Sequence, residues 1–376
     1  GATATGGNST DTSVTNYTTR VFTSSGALTV TGSLNASVLV VGGGGSGGTS
    51  KGGGGGAGGL VYDAVYALTA NTYDMVIGNG GTGVTASGTL GNNGVDSTVT
   101  INGGAMQFTA KGGGGGGQEG SAGNAGGSGG GASYSGAGGT TTQNGTTQGV
   151  TPDVNIGYVG GTGTGSPNYN PAGGGGAGGA GGNAVDANAG IGGAGYNAGA
   201  IFGTALGDGG YFASGGGGGW TTQAAGSASA GGGTAGGTPS AGNSAAATDG
   251  TGGGSGGGAG DASGDSGDGG SGVVLVRYLT TDAPGVQNLT LQSIDTEAEA
   301  QPTKADMVML MEDTAGRPAS SIRERILQLA FAFSLGDESN FISLVIESVS
   351  IKKLCQLVLT TIAIWESDII DRMRVL

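Results

Sequence analysis

Histidine is absent from the 376-residue chain, cysteine occurs once, at Cys355, and proline seven times. Catalysis near neutral pH leans on histidine, activated cysteine or clustered metal ligands. A Ser-His-Asp triad, a His-zinc site and an internal disulfide are therefore excluded within one chain. Basic groups are scarce too, with 12 Lys and Arg against 26 Asp and Glu and a formal net charge of −14. Affinity for nucleic acid rests on Lys and Arg neutralising phosphates, so neither DNA nor RNA is an expected partner. The most apolar stretch, residues 354–365, lies between Lys353 and Glu366. It falls short of the ~20 residues that cross a bilayer, and the chain is expected to be soluble and not membrane-embedded. No charged leader and apolar signal core follow Gly1, which suggests a processed or partly observed protein.

What the sequence has is glycine, 95 residues of it. Collagen is excluded, because the triple helix requires strict Gly-X-Y periodicity and abundant proline. The glycine is concentrated: residues 1–282 hold 92 glycines with 13 acidic and 4 basic side chains, whereas residues 283–376 hold 3 glycines with 13 acidic and 8 basic. A boundary near Pro284 follows.

Short strands are predicted through the first hundred residues. Residues 16–23, 27–31, 36–41, 72–77, 97–101 and 105–109 are β-branched or aromatic runs bounded by Gly, Asn and Ser. Leu28/Val30 and Val99/Ile101 alternate with threonine, which puts one face of a sheet on a core. Val38 to Val41 is continuous and is expected to be buried on both faces. Asn102-Gly103 is a hairpin-turn signal. Residues 271–278 return to strong strand character, and the economical arrangement puts this strand back into the N-terminal sheet, making the glycine region one long excursion from a β base.

From Gly112 to Gly272 the pattern dissolves into glycine runs. A low-complexity linker is one reading, since so little apolar surface does not offset the entropy of ordering it. Packed rods are the other and favoured reading, because the runs recur as blocks (42–45, 52–56, 112–117, 173–176, 215–219) separated by turn-like segments with little Lys or Glu. A polyproline-II chain makes three residues per turn and no internal hydrogen bonds, so every N–H and C=O must find a neighbouring chain. Glycine lets backbones approach closely enough for that. Six residues span about 18–19 Å at ~3.1 Å each. The glycines expected to carry this packing are Gly112, Gly113, Gly114, Gly115, Gly116 and Gly117, then Gly173, Gly174, Gly175 and Gly176, then Gly215, Gly216, Gly217, Gly218 and Gly219.

Beyond the boundary, residues 320–333 carry Ile322, Ile326, Leu329 and Phe333 at helical spacing, with Gly336 just past the end. An amphipathic helix is predicted there, followed by a mixed-period apolar stretch over 343–376. This C-terminal segment needs a partner surface, either the β base or another subunit.

Motif searches return little chemistry. Gly-x-Gly-x-x-Gly arises by composition alone, and neither Lys51 nor Lys111 is followed by Ser or Thr, which excludes a P-loop. Asp261, Asp265 and Asp268 lack the alternation and closing Glu of an EF-hand and are expected to form a solvated acidic turn. Glu312-Asp313 has no partner base or cleft signal, and the sequons at Asn8, Asn16, Asn35, Asn144 and Asn288 follow from Thr- and Asn-rich composition. No catalytic residue, metal or cofactor is assigned. The aromatics of the glycine region are the contact candidates: Trp220 and Tyr169 above all, then Tyr211, Phe212, Tyr196 and Tyr158, with Tyr134 in the same set. Aromatics on turns of a rigid scaffold bind with little entropy loss, although capping the edges of the bundle would use the same residues.

The order Tyr17-Thr-Thr-Arg-Val-Phe22, Val38-Leu-Val-Val-Gly-Gly-Gly-Gly45, Gly58-Gly-Leu-Val-Tyr62, Thr72 to Gly81, a glycine excursion and Gly272-Val-Val-Leu-Val-Arg-Tyr278 resembles the glycine-rich domain of bacteriophage tail-fibre and tail-tip proteins. The resemblance spans roughly residues 15–280. It implies a virion-tail, extracellular location, a homo-oligomer with a trimer favoured, other virion tail proteins as neighbours, and a bacterial surface glycan or outer-membrane protein as receptor. Distal adhesins of T-even-like phages are similar in stacking polyglycine-II helices with variable receptor-reading loops at the tip. Residues 294–316 also look like the start of a module that follows such domains, but the sequence departs from it after Gly316.

The expected fold is mainly β: an antiparallel, sandwich-like base (1–111), an inserted polyglycine-II bundle (112–272), a closing strand (273–282) and an α-containing docking or oligomerisation segment (283–376). The expected function is non-catalytic recognition of a bacterial surface receptor. The alternatives are a structural filament with a stiff glycine spacer and an ice-binding bundle; the varied turns favour recognition over repeated flat Thr faces.

Overall fold

Alternating and continuous apolar runs become strands that share two cores. A computed structural model of the chain describes residues 2–280 apart from 103, 144–150, 186–187, 221–224, 238–241 and 261–263. In chain order the strands are β1 (Thr3–Gly6), β2 (Ser9–Asp11), β3 (Tyr17–Phe22), β4 (Gly26–Thr31), β5 (Leu34–Val41), β6 (Leu60–Leu68), β7 (Asn71–Val76), β8 (Ser97–Ile101), β9 (Met106–Ala110), β10 (Val154–Ile156), β11 (Tyr196–Asn197), β12 (Tyr211–Phe212) and β13 (Val273–Leu279). Helix among the described residues is one turn, α1 (Gly199–Phe202). The protein is thus mainly β with antiparallel sheets. The helix predicted over 320–333 and the whole segment 283–376 lie outside the described residues.

One sheet runs β1-β4-β7-β8-β9 and the other β10-β6-β5-β13-β3-β2. Leu28, Val30, Tyr73, Met75, Val99 and Phe108 of the first meet Phe22, Val38, Val40, Val274 and Val276 of the second in a shared core. The continuous run in β5 is explained by the pleat, which sends alternate residues to opposite faces. Val38 and Val40 enter this core, while Leu39 and Val41 point to a second one with Val273, Leu275, Phe202 and Phe212. β13 sits between β5 and β3, with Val276 opposite both Val38 and Arg20. Joining residues so distant in sequence fixes the two ends of the glycine region side by side.

The glycine runs are ordered by one another. In residues 52–59 every backbone N–H donates laterally, and the recipient changes with a period of three. Gly52, Gly55 and Gly58 donate to the carbonyls of Gly258, Ser255 and Gly252; Gly53, Gly56 and Gly59 to Gly117, Gly114 and Lys111; Gly54 and Ala57 to Ala172 and Gly175, all at 2.8–3.1 Å. Its own carbonyls accept from three further runs, through Gly42, Gly45 and Gly48, through Ser128 and Gly131, and through Gly216 and Gly219. Six neighbours therefore surround this run, and all of residues 52–59 are buried.

The same rule governs the other blocks. Gly113 and Gly116 donate to Gly43 and Ser46, Gly114 and Gly117 to Ser128 and Gly131, while Gly112 and Gly115 find the side-chain oxygens of Asp96 and Asn93. Gly215 and Gly218 donate to Gly193 and Gly190, Gly216 and Gly219 to Gly55 and Gly52, and Gly217 to Thr234. Gly173, Gly174, Gly175 and Gly176 donate to Gly182, Gly216, Gly129 and Gly179. Close approach is what requires glycine here: a Cβ built on Gly54 would lie 2.0 Å from the Gly216 carbonyl oxygen. Residues 42–59 and 78–95 belong to this lattice as fully as the later runs, so strand and lattice alternate along the first 111 residues instead of following one another. An apolar flank such as Val38–Val41 hides that continuity in the sequence.

Candidate functional site

The run that follows β5 reverses and comes back to the sheet. Gly42, Gly45 and Gly48 donate to Gly59, Gly56 and Gly53, so the chain that leaves β5 returns to β6 through a turn at Ser50-Lys51. Both turn residues hold left-handed backbone conformations, φ 55° and 57°, uncommon for side-chain-bearing residues. Adjacent turns are tied to this one: Ser50 Oγ lies 2.8 Å from Ser87 Oγ, and Ser133 Oγ donates to the Lys51 carbonyl at 2.8 Å. Glu119, Ser135 and Tyr169 also have positive φ. Left-handed non-glycine residues thus recur where lattice runs reverse, a pattern characteristic of sites whose surroundings hold the backbone in place.

Aromatic side chains from three other runs converge on one ammonium. Lys51 Nζ stands 5.8 Å from the ring centroid of Tyr134, 5.7 Å from Tyr169 and 5.9 Å from Trp220. Tyr134 and Tyr169 meet edge to face, with centroids 5.2 Å apart and planes at 86°. A cation within about 6 Å of a ring centroid is attracted by the ring quadrupole, so three rings hold Lys51 where the runs end. Gly219 donates to Gly52, which is why the residue after that five-glycine run reaches the Lys51 turn. Trp220 is 6% exposed, and its Nε1 is buried with no hydrogen-bond partner among the described residues. Tyr169, by contrast, is 40% exposed.

The other aromatic candidates lie elsewhere. Tyr196 and Phe212 are register partners in the β11–β12 pair, with Tyr211 opposite Asn197. Phe212 is 1% exposed and belongs to the core beneath α1, which corrects its assignment as a surface contact: its strand alternation turns it inward. Tyr196 packs against the same core, and burial pushes its phenol above the usual range, as it does for neighbouring Tyr62. Phe212 and Trp220 bracket the run 213–219, one in the core beneath α1 and the other beside Lys51, so the two groups of candidates belong to opposite ends of that run. Tyr158 is exposed beside Val159, and no contact joins its ring to Lys51 among the described residues. The sequence singles out Trp220 and Tyr169 but not Lys51, whose signal was a lone cation between glycine runs in an acidic chain.

Of the acidic triplet, Asp268 accepts from the backbone of Gly83 and Asp265 from the Asn243 side chain, while Asp261 lies outside the described residues. Among the described residues no group of three or more acidic, Cys or His side chains is placed to hold a metal, and no helix is long and apolar enough to cross a membrane. A family model described as a glycine-rich domain matches residues 23–279. No curated protein matches the chain.

Proposed function

The chain belongs to the glycine-rich domain family, and from that premise we propose that it is a non-catalytic adhesin subunit of a bacteriophage tail fibre that recognises a bacterial surface glycan or outer-membrane protein. The glycine runs act as a polyglycine-II bundle. The period-three rotation of donor direction supports this, because three residues per turn is the pitch of that helix. The subunit is placed at the virion tail, beside other tail proteins, as a trimer.

One observation carries the recognition reading. Turns of unlike sequence, 50–51, 134–135 and 165–170, are pinned on a lattice whose runs leave no room for a side chain, and aromatic rings gather there around Lys51. A stiff stalk with varied, strained turns at its end suits recognition, since loops on rigid scaffolds bind without an ordering penalty. The experiment is binding of fluorescently labelled protein to a panel of Gram-negative strains. Saturable binding to a subset, competed by unlabelled protein and weakened by Tyr169→Ala at unchanged melting temperature, is the expected result. Uniformly absent binding across the panel, in a chain that still forms stiff oligomers, would favour the spacer reading instead.

A further inference from the structure

We propose that the chain assembles with two further copies of itself round a threefold axis, through the two lattice faces that meet at run 179–184; this rests on the trimer named above and assigns its interface. Geometry is the first support. The neighbours of run 52–59, taken in order as 42–48, 112–117, 128–131, 172–176, 215–219 and 252–258, each hydrogen-bond to the next, as Gly113 does to Gly43 and Gly174 to Gly216. Six runs round one make a hexagonal array. Run 179–184 stands outside 172–176, whose Gly173 and Gly176 donate to Gly182 and Gly179, and it donates through Gly181 to Val159 and through Gly182 to Ile191. The runs of Val159 and Ile191 also bond to 172–176, through Gly161 and Gly193. A run with three such consecutive neighbours is a corner of the array, where two faces meet at about 120°, and three corners of that angle close into a ring.

The second support is what the faces carry. Gly160 and Gly192 bond onward to Gly139 and Ser227, so the runs of Val159 and Ile191 are the middle runs of their faces. Val159 and Ile191 are 45% and 55% exposed, and they stand at one level because their carbonyls take successive N–H groups of the corner run. Val185, 60% exposed, ends that run. Apolar side chains gathered on neighbouring runs mark an interaction surface. Charge selects a second copy as the occupant. From Val154 to Gly207 the sequence has no Lys, Arg or Glu and one Asp, Asp186, which lies outside the described residues. Asp265 and Asp268 belong to the run that meets Gly44 through Gly270, and 42–48 lies across run 52–59 from 172–176. Subunits of charge −14 repel one another, and the corner is the flank where they meet without juxtaposing carboxylates. In the ring the acidic run faces outward.

The test uses the full chain with Cys355→Ser, which removes its only cysteine. Mass is measured by light scattering. Val159→Cys, Ile191→Cys and the double variant are then treated with a short bismaleimide and run on a denaturing gel. In the ring, position 159 of one copy faces position 191 of the next. The expected result is a covalent species of three times 35.2 kDa from the double variant and none from either single variant. A twofold contact would instead cross-link one of the single variants to a dimer, and that overturns the proposal. A parent of monomer mass, or a trimer whose double variant is not cross-linked, overturns it equally. Should the double variant melt below the parent, the two single variants are co-expressed; a cross-linked pair of chains is then expected, and its absence overturns the proposal. Saturable cell binding that persists without cross-linking removes this interface and leaves the recognition reading standing.

Discussion

The sheets and the glycine lattice are two solutions to one problem, the ordering of a chain against its conformational entropy. In the sheets, Phe22, Tyr73, Phe108 and the paired valines of β5 and β13 are removed from water, and stability follows buried apolar area. In the lattice there is almost no side chain to bury. Glycine loses more backbone freedom than any other residue, yet each N–H in residues 52–59 reaches a carbonyl on one of three neighbouring runs. The sheets tolerate a shape change where side chains can shift. The lattice has only backbone to move, and backbone displaced in one run is displaced in the six around it.

That contrast breaks most sharply under Gly54→Ala. The new methyl meets the Gly216 carbonyl at 2.0 Å with backbone on the far side, and we expect a loss on the order of 5 kcal/mol, seen as insoluble protein or a collapsed thermal transition. A melting temperature within a few degrees of the parent would mean the runs do not pack as closely as described. Phe108→Ala should follow at about 3–5 kcal/mol by leaving a cavity between the sheets, measured by denaturant unfolding with an unchanged slope. Next comes Ser255→Ala. Ser255 Oγ accepts from Gly47 N–H at 3.0 Å and donates to the Gly267 carbonyl, so its loss orphans a buried N–H and a part-buried carbonyl and should cost about 1–3 kcal/mol.

The smallest expected effect separates the regions by pH. Burial first, then the neighbouring Tyr73 and Asp63, push the Tyr66 phenol up to about 12 from 10.0. A raised phenol means the folded state prefers the neutral form. Its stabilising contribution is complete below pH 10 and is lost as pH rises towards 12. Runs 52–59 and 112–117 contain no titratable side chain, so alkaline loosening followed by amide exchange should begin in the sheets and be blunted by Tyr66→Phe. Simultaneous loss of protection in Gly112–117 would show that the two regions unfold as one unit.

Much of the fold was legible where side chains carry the information. The runs that became β3, β4, β5, β7, β8, β9 and β13 announce themselves by apolar spacing. β1, β2, β10 and the β11–β12 pair do not, because strands of two to four residues complete no alternation. For the lattice, lateral backbone bonding between runs could be reasoned from glycine's chemistry. Which run meets which could not, since residues without side chains encode no partner. The site divides likewise. Trp220 and Tyr169 stand out as aromatics in or after glycine-rich segments, whereas their meeting at Lys51 depends on how the separate runs are placed side by side. Tyr211-Phe212 looked similar in sequence, and only the strand pairing turns Phe212 into the core.

The threefold rotation of donor direction also governs how such a chain can change length. Deleting one residue within 52–59 moves every later donor of that run one place in its period of three, so each faces the wrong neighbour. Removing or adding three residues restores the facing and shifts only the level at which the run reverses. Insertions inside runs should therefore be inherited in triplets, while the reversals are free to lengthen singly. A protein built this way can rewrite its turns residue by residue and the length of its runs only by whole periods of three.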